Sequence, residues 1–242
     1  MSLDEGREFA NDVRQNEGKI ICDGSFKHGR SSAAFLPITR HTITQHAAPL
    51  TGFLGTNIVP GRSADQSAYR GEMGEILGSI LTVKVLCKNF GVDTGTVTIG
   101  CDCEGAINAC EGNRSVSCHW KCYDIVCRIK HKLDNLSITF LFKHTDGHQD
   151  AVKPFETLTI WEQANYWADK YAKDALCNYV TDRCPAIPTT IGEGDTWLLT
   201  LDAVPVTSEI KKTIYNSKWT DKGKSFWMVR LQIRHDQIDL IE

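Results

Sequence analysis

One short stretch, residues 20–25 (IICDGS), constrains the fold more than any other. Two β-branched residues and a cysteine are typical of a buried strand, and Asp23 stands where we expect that strand to end. Gly24 and Ser25 suit a tight exit from it. An apolar strand that ends in a carboxylate is costly to bury unless something positive meets the charge. A turn-forming role is the default for such an Asp, so its meaning depends on whether other acids reach the same place.

The composition is that of a globular protein with no strong electrostatic bias. With 242 residues, 41% of them hydrophobic, the chain can form one sizeable domain plus an extension, or two small domains. The formal net charge of −3 argues against a strongly cationic nucleic-acid binder, because affinity for phosphates comes mainly from Lys and Arg. It leaves room for an enzyme that holds phosphates through bound cations.

The sequence predicts an intracellular protein, cytoplasmic or nuclear. It contains no apolar run long enough to span a bilayer, and residues 1–18 are too charged for a signal peptide. We therefore expect no membrane association, and we expect the ten cysteines to remain thiols.

The order of predicted elements places strands first and then alternates strands with helices. Residues 1–17 are polar and are expected to be frayed or part of a linker. The pattern then predicts strands at 19–25, 31–38 and 41–50, a loop at 51–66, a long helix at 65–89, a strand at 96–101, helices at 104–110 and 119–133, a strand at 137–142 and a helix at 157–179. A mixed sheet covered by helices, with the order βββαβαβα, follows from this pattern.

The chain divides into three predicted parts. A polar N-terminal segment (1–18) precedes the main domain (19–182). A small α+β extension of unknown role follows at 183–242, with strands at 197–204 and 226–233 and a helix at 208–215 between them.

Four acids are expected at one edge of this sheet. Asp23 and Asp102 each end a predicted strand, and the ends of neighbouring strands gather where ligands usually bind. Glu72 lies in the first turns of the long helix and Asp169 in the last one. Carboxylates this close repel, and a divalent cation is the usual resolution. Ligands that are all oxygen favour Mg²⁺ or Mn²⁺ over Zn²⁺.

Five short motifs follow one another along the chain: residues 22–25 (CDGS), 69–73 (YRGEM), 99–102 (IGCD), 147–150 (GHQD) and 165–169 (NYWAD). In type, order and approximate spacing they resemble ribonuclease H, and more closely the ribonuclease H domains of reverse-transcriptase retroelements. The resemblance covers residues 19–180. It implies a ribonuclease H-like α/β fold with a mixed five-stranded sheet flanked by helices.

The resemblance also implies a two-metal mechanism in which four carboxylates hold two Mg²⁺ ions, with Mn²⁺ as a possible substitute. By position, Asp23 would bridge both ions and Asp169 would complete the site of the nucleophilic water. Glu72 and Asp102 would support the second ion near the leaving group. His148 matches a mobile loop histidine to which the family assigns proton transfer or product release.

The same resemblance implies the substrate, since these enzymes cut the RNA strand of RNA–DNA hybrids and recognise its 2′-hydroxyl groups. Gly24, Ser25, Gln66 and Asn108 are candidates for minor-groove contacts. The segment between residues 111 and 119 is too short for the basic protrusion with which some members grip the hybrid. We therefore expect a polymerase domain or another polypeptide to supply additional grip.

Several of these acids have a plain structural alternative. Glu75 follows Glu72 by one turn, and either could face solvent. Asp102 could cap the helix at 104–110. Asp169 could pair with Lys173 at i+4.

The histidines, the cysteines and the basic residues also allow more than one interpretation. His144 competes with His148 for the loop position. A zinc site is a weaker alternative, because the available ligands are not spaced as paired C-x₂-C knuckles; they are Cys101, Cys103, Cys110, Cys118, His119, Cys122 and Cys127. The basic residues at 128–132 could form a solvated helix end or a phosphate-contacting face.

The sequence thus predicts a Mg²⁺-dependent endoribonuclease acting on RNA–DNA hybrids and derived from a retroelement. Two alternatives share its fold. One is an inactive nucleic-acid-binding or scaffolding domain, and the other is an integrase-like or exonuclease-like enzyme. The four intact acids favour a nuclease over the inactive domain, because such a cluster is costly to keep without metals.

Overall fold

A computed structural model of the chain describes residues 3–39, 54–61, 65–112, 116–117, 120–178, 197–201, 204–205 and 227–230. Its centre is a five-stranded sheet with the strand order β3-β2-β1-β4-β5. The strands are β1 (Gly18–Lys27), β2 (Arg30–Pro37), β3 (Gly55–Ile58), β4 (Gly95–Cys101) and β5 (Ile138–His144). The β1–β2 and β2–β3 pairs are antiparallel, whereas β1–β4 and β4–β5 are parallel, so the sheet is mixed as predicted.

Helices cover both faces of this sheet. They are α1 (Leu3–Arg14), α2 (Ala68–Asn89), α3 (Glu104–Glu111), α4 (Tyr123–Asn135) and α5 (Ile160–Asn178). Ile20 and Cys22 of β1 belong to the core shared with α2 and α4, and Ile21 belongs to the core shared with α5. Because β1 is buried on both faces, it reads as a continuous apolar run. The predicted α/β class, a mixed five-stranded sheet flanked by helices, is confirmed.

The N-terminal segment corrects one prediction. Residues 3–14 are not frayed but form helix α1, whose Phe9 and Val13 are 1% and 0% exposed within the main core. Arg14 also donates from Nη2 to two carbonyls just beyond α2. This helix therefore packs as part of the domain that we expected to begin at residue 19.

The third strand differs from the prediction as well. Residues 41–50, predicted as a strand, lie outside the described residues, and β3 occupies part of the predicted loop at 51–66. In the β2–β3 pairing Phe35 stands opposite Gly55, and its ring fills the space that a Cβ at Gly55 would occupy. A cross-strand aromatic that covers an edge glycine stabilises a strand whose own sequence, GTNI, gives little indication of one.

The remaining helices form where the apolar periodicity predicts them, with shifted starts. Helix α2 begins at Ala68 because the side chain of Ser67 accepts from the backbone N–H of Arg70. Helix α4 begins at Tyr123 instead of residue 119, after Cys122, which has a left-handed φ of 55°. Helix α5 begins at Ile160 because Phe155–Thr157 forms a separate 3₁₀ turn.

The C-terminal extension contains a small antiparallel sheet with the order β7-β6-β8, formed by β6 (Trp197–Leu201), β7 (Val204–Pro205) and β8 (Trp227–Arg230). Strands were predicted in both places. The helix expected at residues 208–215 lies outside the described residues. Across the described part of the chain, every helix is too short or too polar to cross a bilayer.

Candidate metal centre

Asp23 lies inside β1, not at its end as predicted, because β1 continues to Lys27 alongside β2. The parallel pairing of β1 with β4, however, ends at Ile21 and Gly100. Asp23 therefore stands just past the point where its parallel neighbour stops, with its side chain 4% exposed. Its Oδ2 lies 3.5 Å from the donating Nδ2 of Asn165 on α5.

Two glycines bring α2 against this part of β1. A Cβ at Gly24 would lie 2.5 Å from the backbone N of Glu72, and a Cβ at Gly71 would lie 3.0 Å from the carbonyl oxygen of Ser32. Strand and helix thus touch through their backbones, which places Glu72 beside Asp23. Gly24 serves this close approach and is not the strand exit that the sequence predicted.

The carboxylates form two overlapping groups that share Glu72. Single ligand atoms of Asp23, Glu72 and Glu75 lie within 4.8 Å of one another, and so do those of Glu72, Cys101 and Asp102. The expected adjacency of Asp23 and Asp102 is met, since their strands are neighbours and both acids reach Glu72.

Both candidate glutamates of α2 are buried. Glu72 is 9% exposed and Glu75 is 0% exposed, so neither faces solvent as the structural alternative supposed. Neither carboxylate oxygen of Glu75 has a hydrogen-bond partner.

Asp102 follows directly after β4 and lies under the loop after β5. A Cβ at Gly147 would contact its Oδ2, so a larger residue there would have to displace the Asp102 carboxylate. The imidazole Nε2 of His144 lies 3.1 Å from the backbone oxygen of Asp102. The capping alternative for Asp102 is wrong, because Cys103 occupies the N-cap of α3.

Asp169 is held from two sides. Its Oδ2 accepts a hydrogen bond from Lys173 Nζ at 2.6 Å and lies 3.9 Å from Nδ1 of His148. The expected i+4 pair therefore exists. Asp169 belongs to neither of the two groups, although its charge contributes to raising the pKa of Asp23. The side chain of His148 is 67% exposed, and its backbone adopts a left-handed φ of 52°.

The acids strongly disfavour ionising together. Burial, followed by the charges of Asp102, Glu72 and Asp169, raises the pKa of Asp23 to about 10. Burial and the charge of Asp102 raise the pKa of Glu72 to about 7, opposed in part by the Glu75 side chain and by a backbone hydrogen bond from Gly24. Burial and the charge of Glu72 also raise the pKa of Glu75. A bound cation would offset this repulsion and favour the fully ionised cluster near neutral pH.

The donor set fits hard divalent cations. Carboxylate oxygens from β1, α2 and the end of β4 converge, and the unpartnered oxygens of Glu75 add acceptors that no protein donor satisfies. Among the described cysteines only Cys101 joins a ligand group, together with two carboxylates. The described residues therefore give no support to a cysteine-based zinc site.

The predicted nucleic-acid contacts lie in different surroundings. Gln66 accepts from the backbone N–H of Ser31 and donates to the carbonyl of Val59, so both ends of its amide join parts of the protein. This favours a structural role over the predicted groove contact. Asn108 is exposed on α3, whereas Gly24 and Ser25 are half-buried in β1.

The basic residues at 128–132 contain at least one structural cation. Lys130 donates from Nζ to the carbonyl of Cys110 at 2.7 Å and to that of Gly112. It therefore satisfies backbone oxygens at the C-terminal end of α3, which leaves its ammonium turned towards protein and not towards a phosphate.

Sequence reasoning assigned no role to two residues that position the site. Arg70 is 0% exposed; it donates to both carboxylate oxygens of Asp124, at 3.0 and 2.7 Å, and to the carbonyl of Pro60. It thereby fixes the first turn of α2. Asn165 is 2% exposed and meets Asp23. Arg70 lies in the motif at 69–73 and Asn165 in the motif at 165–169, so the motifs were the sequence feature that could have identified both as site residues.

No protein-family model and no curated protein matches the sequence. Among solved structures, the chain is similar to RNase H1 from the halophilic archaeon Halobacterium salinarum, at 13% identity and a TM-score of 0.44 over 66% of this chain and 98% of that one. It is also similar to LC11-RNase H1 in complex with an RNA/DNA hybrid, at 12% identity and a TM-score of 0.46 over 66% and 99%. A third is prototype foamy virus protease-reverse transcriptase, at 18% identity and a TM-score of 0.41 over 70% and 22%.

Proposed function

We propose that this chain is a divalent-metal-dependent endonuclease that hydrolyses the RNA strand of RNA–DNA hybrids, as a retroelement-type ribonuclease H. One observation carries the proposal: Asp23 and Asp102, from two adjacent parallel strands, both lie within metal-bridging reach of Glu72. The five motifs in order support the choice of hybrid over other nucleic acids.

The residues that would hold the ions are Asp23, Glu72, Asp102 and Asp169. When bound, two Mg²⁺ or Mn²⁺ ions supply an activated water and stabilise the leaving oxygen of an in-line phosphodiester displacement. The protein orients the ligands for this task. Asn165 fixes the Asp23 carboxylate from α5, and Lys173 fixes that of Asp169.

We propose that His148 exchanges protons between the site and solvent. Its imidazole is largely exposed and lies beside Asp169, and the adjacent Gly147 lies directly over Asp102. A group that touches both the site and bulk water can carry a proton to the leaving oxygen or assist product release.

Substrate grip by the chain alone is expected to be weak. The formal net charge is −3, and the Lys130 ammonium donates its hydrogen bonds to protein carbonyls. We propose that Gly24, Ser25 and Asn108 contact the minor groove, and that a polymerase domain or another polypeptide adds affinity for the hybrid.

The test is cleavage of a labelled RNA–DNA hybrid with Mg²⁺ or Mn²⁺. Asp23→Asn is expected to lower the cleavage rate by about 10³-fold, the scale of losing a group that stabilises transition-state charge. Asp134→Asn, the same change on the exposed face of α4, is the matched control and should cleave normally.

Four outcomes would contradict the proposal. The folded protein could cut nothing with either ion, or Asp23→Asn could cut as fast as the wild type. Binding of the hybrid in EDTA without turnover in Mg²⁺ would instead identify an inactive binding domain. Preferential cleavage of double-stranded DNA or RNA would favour the integrase-like or exonuclease-like alternative.

A further inference from the structure

The structure contains a buried acid, Glu75, that the four-carboxylate scheme does not use. It follows Glu72 at i+3 on α2, a spacing that puts both side chains on one face of the helix. One of its oxygens lies within 4.8 Å of ligand atoms of both Asp23 and Glu72.

The polar neighbours of the Glu75 carboxyl group are another acid, Glu72, and the thiol of Cys22, and neither brings a positive charge. Glu75 is 0% exposed, and neither of its oxygens accepts or donates a hydrogen bond. A buried polar group without a hydrogen bond destabilises the folded state. Such atoms in a native protein therefore indicate a bound ligand or need another explanation.

The most deeply buried cation among the described residues does not serve this acid. Among the described residues Arg70 is the cation with no exposed surface, and its guanidinium is committed to Asp124 and to the carbonyl of Pro60. An ionised Glu75 would therefore need a positive charge from outside the described residues.

We infer that Glu75 is a fifth metal-ligating carboxylate, which holds a divalent cation together with Asp23 and Glu72 on the interior side of the site. This inference rests on the proposed metal centre and deepens it. A third carboxylate around one ion raises its affinity, so the chain should load Mg²⁺ or Mn²⁺ at lower concentrations than Asp23 and Glu72 could achieve alone.

The test is direct binding of Mn²⁺, measured by calorimetry and by the loss of the free-ion signal in electron paramagnetic resonance. Glu75→Leu removes the carboxyl group and fills its space, and Glu75→Gln keeps its shape without the charge. Both are expected to weaken Mn²⁺ binding at least tenfold. Glu156→Gln, at an exposed position in the 3₁₀ turn before α5, is the matched control and should bind as the wild type does.

The outcomes separate this inference from the function that it rests on. If both Glu75 variants keep wild-type affinity while Asp23→Asn loses it, Glu75 is a neutral core residue and only this inference fails. If the wild type binds no Mn²⁺, the proposed metal centre fails with it. If Glu75→Leu does not fold, Glu75→Gln alone decides, because its side chain has nearly the same volume.

Discussion

The first turns of α2 carry two buried charged clusters of opposite character. Arg70 is fully paired, with two hydrogen bonds to Asp124 and further ones to the carbonyl of Pro60. Glu72 and Glu75, on the same helix, face other acids, and the oxygens of Glu75 are unpartnered. A complete set of partners indicates a residue that holds the fold, whereas a deficit of positive charge indicates a place prepared for a ligand.

Breaking the paired cluster should have the largest effect on stability. Arg70→Ala leaves the Asp124 carboxylate without its partner and the Pro60 carbonyl without its donor. We expect the free energy of unfolding in urea to fall by about 3–5 kcal/mol, the usual result of splitting a buried ion pair.

Arg7→Ala is the control for that measurement, because Arg7 pairs with Asp4 at 3.4 Å on the surface. Its loss should change stability by less than about 1 kcal/mol. Equal effects of the two substitutions would show that the Arg70 cluster does not anchor α2.

The unpaired cluster should make the metal-free protein less stable as pH rises. Folding raises the pKa of Asp23 from 3.8 to about 10 and that of Glu72 from 4.5 to about 7. For each acid, at a pH between its unfolded and its folded pKa, the folded state binds more protons than the unfolded state. The stability present at low pH is therefore lost as the pH rises towards the folded pKa.

In EDTA, we expect the free energy of unfolding to fall by roughly 4 kcal/mol between pH 6 and pH 8, about 2.7 kcal/mol from Asp23 and the rest from Glu72. Asp23→Asn should flatten this slope, and added Mg²⁺ should stabilise the wild type more at the higher pH. Stability that rises with pH over this interval would mean that the acids are compensated within the protein.

The smallest effect should come from a second paired cation, Lys130. Lys130→Met leaves the carbonyls of Cys110 and Gly112 without their donor, which should lower the free energy of unfolding by about 1 kcal/mol. Hybrid affinity and its salt dependence should not change. Exposed Lys121→Met is the control for stability. Unchanged stability with weaker hybrid binding would instead make Lys130 a phosphate contact.

The sequence predicted the strands and helices whose own residues show a β-branched run or an apolar repeat. The β-branched runs of β1 and β4 and the apolar repeat of α2 gave the sheet and its main helix. The prediction that the strands carrying Asp23 and Asp102 are neighbours was correct, although Asp23 lies inside its strand and not at its end. Element β3 escaped prediction because its pairing with Phe35 and its neighbours, not its own GTNI sequence, makes it a strand.

Other features depend on distant residues that no local pattern reveals. From the sequence, Arg70 is expected to be a solvated helix residue. Its partner Asp124 lies 54 positions further along the chain and approaches it only in the folded structure. The depth of Glu75 depends on how closely α2 approaches β1, which the contact between Gly24 and Gly71 sets. In α1, the apolar positions Phe9 and Val13 were visible in the sequence, but the polar residues around them hid the helix.

Helix α1 has a consequence for the order in which the chain can assemble. Arg14 donates to the carbonyls of Phe90 and Gly91, which lie 76 and 77 residues further along the chain. On the ribosome those acceptors are made long after α1 has emerged, and closing so long a loop carries an entropy cost. The helix that comes first in the chain therefore cannot complete these contacts until synthesis has passed the end of α2.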